Sequence, residues 1–293
     1  MGTAQKGFFR ILGRWLGIFV YLCQGRLPWA FGYGAYRNSY IARLIEDEEF
    51  MQTFQGSTEL PEKFGMRLDE RVVEYPWVVS KIKRHKERCR FLDAGSTLNH
   101  EMILRHPAIR RHDWTLLTLA PESNCFWDRG VSYIFDDIRS MPFRDGLFDA
   151  VFCISVIEHV GMDNVFYTTE KAYRENRPLD YLSAVAEIRR VLKPGGCLYL
   201  TVPFGRYEDQ GWFQQFDASM LSTLISHFDP RMVNKTFFRY ADRGWKLATE
   251  DQCRDLSFFN MDAGKSSQMP ERKGYDADFA AAARGVACVE LQK

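Results

Sequence analysis

No Cys-x-x-Cys pair occurs in this chain, and its cysteines (Cys23, Cys89, Cys125, Cys153, Cys197, Cys253 and Cys288) are odd in number and scattered. That argues against a zinc ribbon or a disulfide framework and fits a reducing cytosol, with most of the thiols serving as small core residues. Charge of one sign is missing too. Lys and Arg number 39 against 38 Asp and Glu, a net +1, which gives no general reason to expect nucleic acid as a partner. Long apolar runs are absent near the N-terminus, where Trp15 to Cys23 offers nine uninterrupted apolar residues and a spanning helix needs about 20. There is no internal repeat and no low-complexity tract.

What is present is a chain of 293 residues, 46% hydrophobic and 26% charged, enough for one large domain, or a domain with additions, around a packed core. Aromatic residues reach 15% and point to aromatic-lined surfaces. Phe8, Ile11, Leu12, Trp15, Phe19 and Leu22 recur at helical spacing beside Lys6, Arg10 and Arg14. Over residues 7–23 this predicts a helix lying in a membrane interface rather than crossing it. A helix packing on the protein's own core or on a partner subunit fits the same pattern. A signal peptide is a third reading, set aside because the remainder reads as cytosolic. Pro28, Gly32 and Gly34 break the pattern.

Residues 1–70 therefore form an N-terminal helical segment, helical again around "YIARLIEDEEFMQTF", and residues 71–293 a second domain. In "VVEYPWVVSKIKRHKE" a helix presents Tyr75, Val78, Val79 and Ile82 on one face, opposite a basic one. Buried strands are expected at "RFLDA", "WTLLTLA", "VSYIF", "FDAVFCI" and "GCLYLTVPF", with a helix running to Leu192 that Pro194-Gly195-Gly196 stops. Strands alternating with helices predict a parallel sheet covered on both faces. Residues 205–275 leave this rhythm and read as an aromatic-rich cap; "ADFAAAARGVACVELQK" reads as an Ala-rich helix followed by a strand. His85, His100, His106 and His112 sit among basic or polar neighbours and read as surface residues.

The functional signal begins at "RFLDAGSTLNHEMIL", Arg90 to Leu104: a strand ending in Asp93, then Gly95, then a helical pattern. Ligands of such sheets bind beyond the carboxyl ends of the strands, and a glycine there permits a tight turn and close backbone approach. Thr97 stands at the usual second glycine of a diphosphate-binding loop, so a ligand with an amino group and a ribose suits the site better.

Together with "YIFDDIRSMPFRDGLFDAVFCISVIEHVGMD" and "EIRRVLKPGGCLYLTVPF", this order of motifs resembles the class I S-adenosylmethionine-dependent methyltransferases. The resemblance covers roughly Tyr75 to Phe204. The stretches "LAPE", "IEHVGMDN" and "FGRYEDQGWFQQFD" look like methyltransferases of bacterial cell-surface polysaccharide clusters. The resemblance implies a Rossmann-like, mostly parallel seven-stranded α/β sheet with helices on both faces, N-terminal helices and the cap. It implies S-adenosylmethionine as cofactor and transfer of its methyl group to a hydroxyl of a sugar or glycan precursor, in the cytoplasm or at the inner face of the membrane. Asp93, Gly95 and Ser96 would surround the methionine part; Asp137 would accept from the adenine amino group and the Ile138 amide would reach a ring nitrogen. Ile154 and Ser155 would sit near the methionine amino end. The family's acidic residue at the end of the second strand is replaced by Thr118, with Glu122 a few residues on. His159, after the fourth strand, is the candidate base for the hydroxyl proton. The Glu158–His159 pair resembles a divalent-metal contact in some O-methyltransferases, but two adjacent ligands are too few for a metal site.

Plainer readings stand beside these. Asp93 as a cap for the following helix, Asp136 and Asp137 as solvated turn residues, and Glu158 and His159 as loop lining all fit the sequence. The aromatic "GWFQQF" is as much core as sugar platform. A small-molecule or lipid methyltransferase is the alternative function. Thr118 also leaves open a cofactor-binding or scaffold protein without turnover.

Overall fold

The computed structural model describes residues 3–56, 59–258 and 275–293. Three helices come first: α1 (Thr3–Cys23), α2 (Tyr33–Glu46) and α3 (Glu48–Gly56). Of these, α2 and α3 cover α4 (Arg71–Ile82), which itself packs on a sheet, and α1 packs on α2. The sheet opens with β1 (Arg90–Ala94), the short α5 (Glu101–Leu104) and α6 (Pro107–Arg110), then β2 (Asp113–Thr118), β3 (Val131–Phe135) and β4 (Phe148–Ile154). After α7 (Val165–Thr168) and α8 (Tyr181–Val191) come β5 (Leu192–Pro203), a two-residue ladder of β6 (Glu208–Asp209) with β7 (Gln214–Gln215), and α9 (Ala218–Phe228). The hairpin β8 (Met232–Ala241) and β9 (Gly244–Ala248), α10 (Glu250–Cys253) and β10 (Gly285–Gln292) complete the chain.

The strand order is β3-β2-β1-β4-β5-β10-β8-β9. From β3 to β5 all pairs are parallel; β10 is antiparallel to both β5 and β8. The α/β expectation holds, with eight strands in place of seven. The addition is β9, an edge strand joined to β8 through Asp242 and Arg243, both at positive φ. Segment 60–68 covers it: Trp245 donates its backbone N–H to the Phe64 carbonyl and its indole N–H to the Leu68 carbonyl. Part of the expected cap, the β8–β9 hairpin, is therefore sheet. Residues 259–274 of that cap lie outside the described residues.

Parallel strands buried on both faces carry apolar residues continuously, and alternate side chains of β1 feed two cores. Phe91 joins Trp77, Trp114, Phe152 and Tyr199 on the α4 side; Leu92 and Ala94 join Val151, Val185, Ile188 and Leu198 on the α8–α9 side. Phe152 stacks on Tyr199 at 5.1 Å and meets Phe91 edge-on at 5.2 Å, so an aromatic row ties β1, β4 and β5 together.

Three local expectations change once packing is included. The basic face of α4 is not free: Val72 to Ile82 are all buried, and Lys81 pairs with Glu290 of β10 at 3.2 Å. His106 and His112 are core residues, not surface ones. Nδ1 of His106 accepts from the Ala108 N–H while Nε2 bonds the Ile45 carbonyl; His112 accepts from the Cys89 N–H and lies 4.3 Å from the Phe91 ring. Finally, the Ala-rich segment is not helical. Phe279 takes a left-handed φ of 56°, the Ala281 carbonyl accepts from Trp29 Nε1, and the Ala283 N–H donates to Glu70. Ala280 to Ala283 are buried, so small side chains let this strip lie against the N-terminal helices.

Candidate active site

The strand order reverses between β1 and β4, and a crevice opens there at the carboxyl ends of the parallel strands. It is a cavity of about 370 Å³, walled by Gly95 and Thr97 after β1, Thr118 and Glu122 after β2, Asp137 and Ile138 after β3, and Ser155 and Val156 after β4. Gly95 has φ of 118°, and a Cβ there would lie 2.2 Å from Val156 Cγ2. The close approach inferred at this glycine is thus made by the loop after β4, which lets the two strand ends meet at the crevice.

Asp93 lies behind this wall, fully buried. Its Oδ2 accepts from the Leu98 N–H at 2.8 Å and so pins the Gly95–Leu98 turn; it does not cap α5, whose N-cap is His100. Among the described residues, Oδ1 and the neighbouring Thr97 Oγ1 are buried without a hydrogen bond of ordinary geometry. Burial pushes the Asp93 carboxyl up to about 7, with the Leu98 and Thr97 amides pulling the other way. Ser96, at φ 60°, is buried and does not line the cavity; Ile154 is core. Ser155 holds the strand ends. At φ 46° it donates its N–H to the Thr201 carbonyl and hydroxyl, and its Oγ to Glu74 Oε1 at 2.6 Å.

Asp137, expected to meet the adenine amino group, lines the cavity and already has a partner. Both Asp137 oxygens accept from Arg139, whose guanidinium also bridges Glu175 and Asp180. Burial pushes Asp137 up, and its bonds to Arg139 more than offset this, leaving it below the ordinary carboxylate value. Asp137 is therefore taken. Asp136 is exposed, and only its Oδ1 is engaged, by the Asp137 N–H.

A second cavity of about 210 Å³ adjoins the first and shares Arg71, Ser155, His159 and Tyr167 with it. Trp29, Trp212 and Phe213 supply aromatic walls; Arg37, Asp69, Glu70, Arg71 and Glu158 supply charge. Two polar atoms here are buried and without a partner among the described residues, Trp212 Nε1 and Glu158 Oε2. Burial raises Glu158 well above the usual carboxylate range, and burial with Asp69 and Glu74 nearby pushes Glu70 up to about 8. His159 stands between the cavities. Its Nδ1 lies 2.9 Å from the Trp212 carbonyl, an acceptor only, so Nδ1 carries the hydrogen and Nε2 the lone pair. Burial, with Arg71 nearby, lowers this imidazole to about 4.

Several of these residues were not singled out from the sequence. Glu74 accepts from Ser155 and Thr201 (2.6 Å each) and pairs with Arg71 at 2.5 Å. The available signal was an Arg-x-x-Glu pair in the first turn of a largely apolar helix. Arg37, paired with Asp69, and Trp29 carried no local signal.

The comparisons bear on the same elements. Residues 115–200, from β2 into β5, match the family model described as a methyltransferase domain. This stretch of the chain is similar to a methyltransferase domain. The crevice fits S-adenosylmethionine, the cofactor expected from the sequence: apolar Leu119, Pro121 and Ile138 for a flat ring, Thr118 and Glu122 for hydroxyls, and the backbone at Gly95 and Thr97 for the amino-acid end. Among curated proteins, the domain is similar to a probable tRNA methyltransferase 9B of Mus musculus, 33% identical over 104 residues, 34% of this chain and 20% of that protein. It also resembles an uncharacterized protein of Methanocaldococcus jannaschii, 38% identical over 66 residues, 22% of this chain and 21% of that protein. The match thus spans about a fifth of the length of these curated relatives. Among solved structures, a Burkholderia thailandensis 1,6-didemethyltoxoflavin-N1-methyltransferase with bound S-adenosylhomocysteine is 12% identical, with a TM-score of 0.43 over 73% of this chain and 75% of that one. A possible histamine N-methyltransferase of Thermotoga maritima is 13% identical, with a TM-score of 0.43 over 88% and 100%.

Proposed function

We propose that the protein transfers a methyl group from S-adenosylmethionine to a hydroxyl of a sugar or glycan precursor. The observation that carries this reading is the second cavity: flat aromatic walls beside a buried donor, Trp212 Nε1, and a buried oxygen, Glu158 Oε2, neither with a partner among the described residues. Aromatic faces suit the C–H faces of a sugar ring, and unpaired polar groups await hydroxyls, because leaving them unmet costs about 1–3 kcal/mol each. The cofactor supplies an electrophilic methyl on a positively charged sulfur. The chain aligns the two cavities through the Ser155–Glu74–Arg71 network and takes up the hydroxyl proton. Neutral His159 accepts that proton at Nε2 while the Trp212 carbonyl holds its ring. Glu70, in the same cavity and raised to about 8, is the competing base.

Methyl transfer from labelled cofactor to nucleotide sugars, glycolipids and small phenols tests the reading. Labelling of a sugar hydroxyl is expected; labelling of phenols alone refutes it. The other reading, a binding protein without turnover, is favoured by the Asp137 carboxylate already held by Arg139 and by Thr118 in the acidic position. Saturable cofactor binding with no transfer to any acceptor would support that reading instead.

A further inference from the structure

The outer face of α1 has no partner among the described residues. Leu12, Trp15, Leu16, Phe19 and Leu22 form a helical stripe on it, with Trp15 and Phe19 exposed by 62% and 64%. The opposite face is committed: Ile18 and Tyr21 are buried, and Gly17 meets Gly32 so closely that a Cβ on Gly32 would lie 1.9 Å from the Gly17 carbonyl oxygen. The helix is therefore fixed to the body with its apolar stripe outward. Phe31, 66% exposed, lies beside Gly17 in the turn before α2 and extends the patch.

Charge selects the occupant. Of the 39 Lys and Arg, six (Lys6, Arg10, Arg14, Arg26, Arg37 and Arg43) fall in residues 1–45, which hold none of the 38 Asp and Glu. The remainder is thus 33 against 38, a formal −5. An anionic surface attracts this end and repels the other. An apolar stripe rich in Trp, Phe and Leu with cations about it is the combination that enters a lipid headgroup layer. We propose that this face docks on an anionic lipid bilayer, α1 lying in the interface. A groove of about 350 Å³ between α1 and the turn before α2 shares Trp29 and Arg37 with the acceptor cavity. Docking therefore brings that cavity beside the lipid, where an acceptor with an apolar anchor reaches it. This last consequence rests on the methyl-acceptor reading; the docking does not.

The test is co-sedimentation of the full chain with phosphatidylglycerol-containing vesicles and with vesicles of phosphatidylcholine alone, without cofactor. Binding to the former is expected, weaker but persistent at high salt because apolar burial survives screening. Trp15→Glu with Phe19→Glu should lower vesicle affinity about tenfold or more while leaving the melting temperature unchanged, since both side chains stand in solvent. Three results overturn the proposal. One is absence of vesicle binding; another is binding untouched by the double variant. The third is a dimer, or a complex with RNA, that the same variant dissolves while the native chain ignores vesicles.

Discussion

Asp93→Asn isolates the electrostatic cost of the turn beneath the cofactor cavity. The carboxyl titrates at about 7 in the folded protein against an ordinary 3.8, chiefly through burial. An acid with a raised folded pKa binds more protons folded than unfolded, so its contribution worsens as pH rises from the unfolded value through the folded one and is constant above it. With about 1.36 kcal/mol per unit, the shift reaches about 4 kcal/mol once both states are ionised, and about 2.5 kcal/mol of it develops between pH 5 and pH 8. Asparagine keeps an oxygen for the Leu98 N–H and has nothing to titrate. Urea unfolding of both proteins without ligand, at pH 5 and pH 8, should therefore show the variant gaining on the native chain by about 2.5 kcal/mol over that interval. Taking the difference between the two proteins cancels Glu70, Glu158 and the histidines, which titrate in both. A difference that stays within about 0.5 kcal/mol between the two pH values, or changes in the opposite direction, would refute the account of Asp93 as a buried carboxylate.

Glu74→Ala should cost about 3–5 kcal/mol, because it strands Arg71 and two hydroxyls in the interior; Ser155→Ala, which removes one of those bonds, should cost about 1 kcal/mol. Equal losses in chemical unfolding would mean that Glu74 is not the centre of the network. Gly95→Ala should destabilise by about 1–3 kcal/mol through the Val156 contact and the positive φ, and Val156→Ala should recover the steric part; no recovery in the double variant would place the strain elsewhere. His159→Gln should lower turnover by about 10²–10⁴ with little change in cofactor affinity. An imidazole lowered to about 4 is neutral from pH 5.5 upward, so the native kcat/KM profile should show no histidine limb near 6.5. A limb near pH 8 that Glu70→Gln abolishes would move the base to Glu70.

The parallel half of the sheet was legible because each strand is buried on both faces and so appears as a short apolar run between turn residues. "RFLDA", "VSYIF" and "FDAVFCI" fall on β1, β3 and β4 residue for residue. The β9 strand gave no such run, since "GWKLA" alternates and gains its cover from segment 60–68, far away in sequence. At Ala280 to Ala283 intrinsic helix preference loses to Trp29 and Glu70, which claim the backbone groups that a helix would use for itself. The same division runs through the site. Residues at strand ends are placed by the strands themselves, so Gly95 could be assigned to the crevice from its strand-turn pattern, and Thr118, Ile138 and Ser155 from what the family resemblance implies. The second cavity draws Trp29, Arg37, Glu70, Trp212 and Ala281 from segments with no common spacing, and only the folded chain brings them together.

That division has a consequence for specificity. The family match, residues 115–200, ends inside β5. Most of the wall of the proposed acceptor cavity lies outside it, in the N-terminal helices, the Asp69–Arg71 corner, the Trp212–Phe213 strip and the alanines before β10. Differential contact with competing acceptors must come from groups that touch them, and those groups belong to the additions. Trp29→Ala alters two of them at once, because it removes an aromatic wall and the indole bond to the Ala281 carbonyl. It should therefore raise the acceptor KM, by about tenfold for a lost stacking face, while leaving cofactor affinity unchanged. A variant losing both affinities together would mean that the N-terminal helices support the domain as a whole rather than shape the acceptor side.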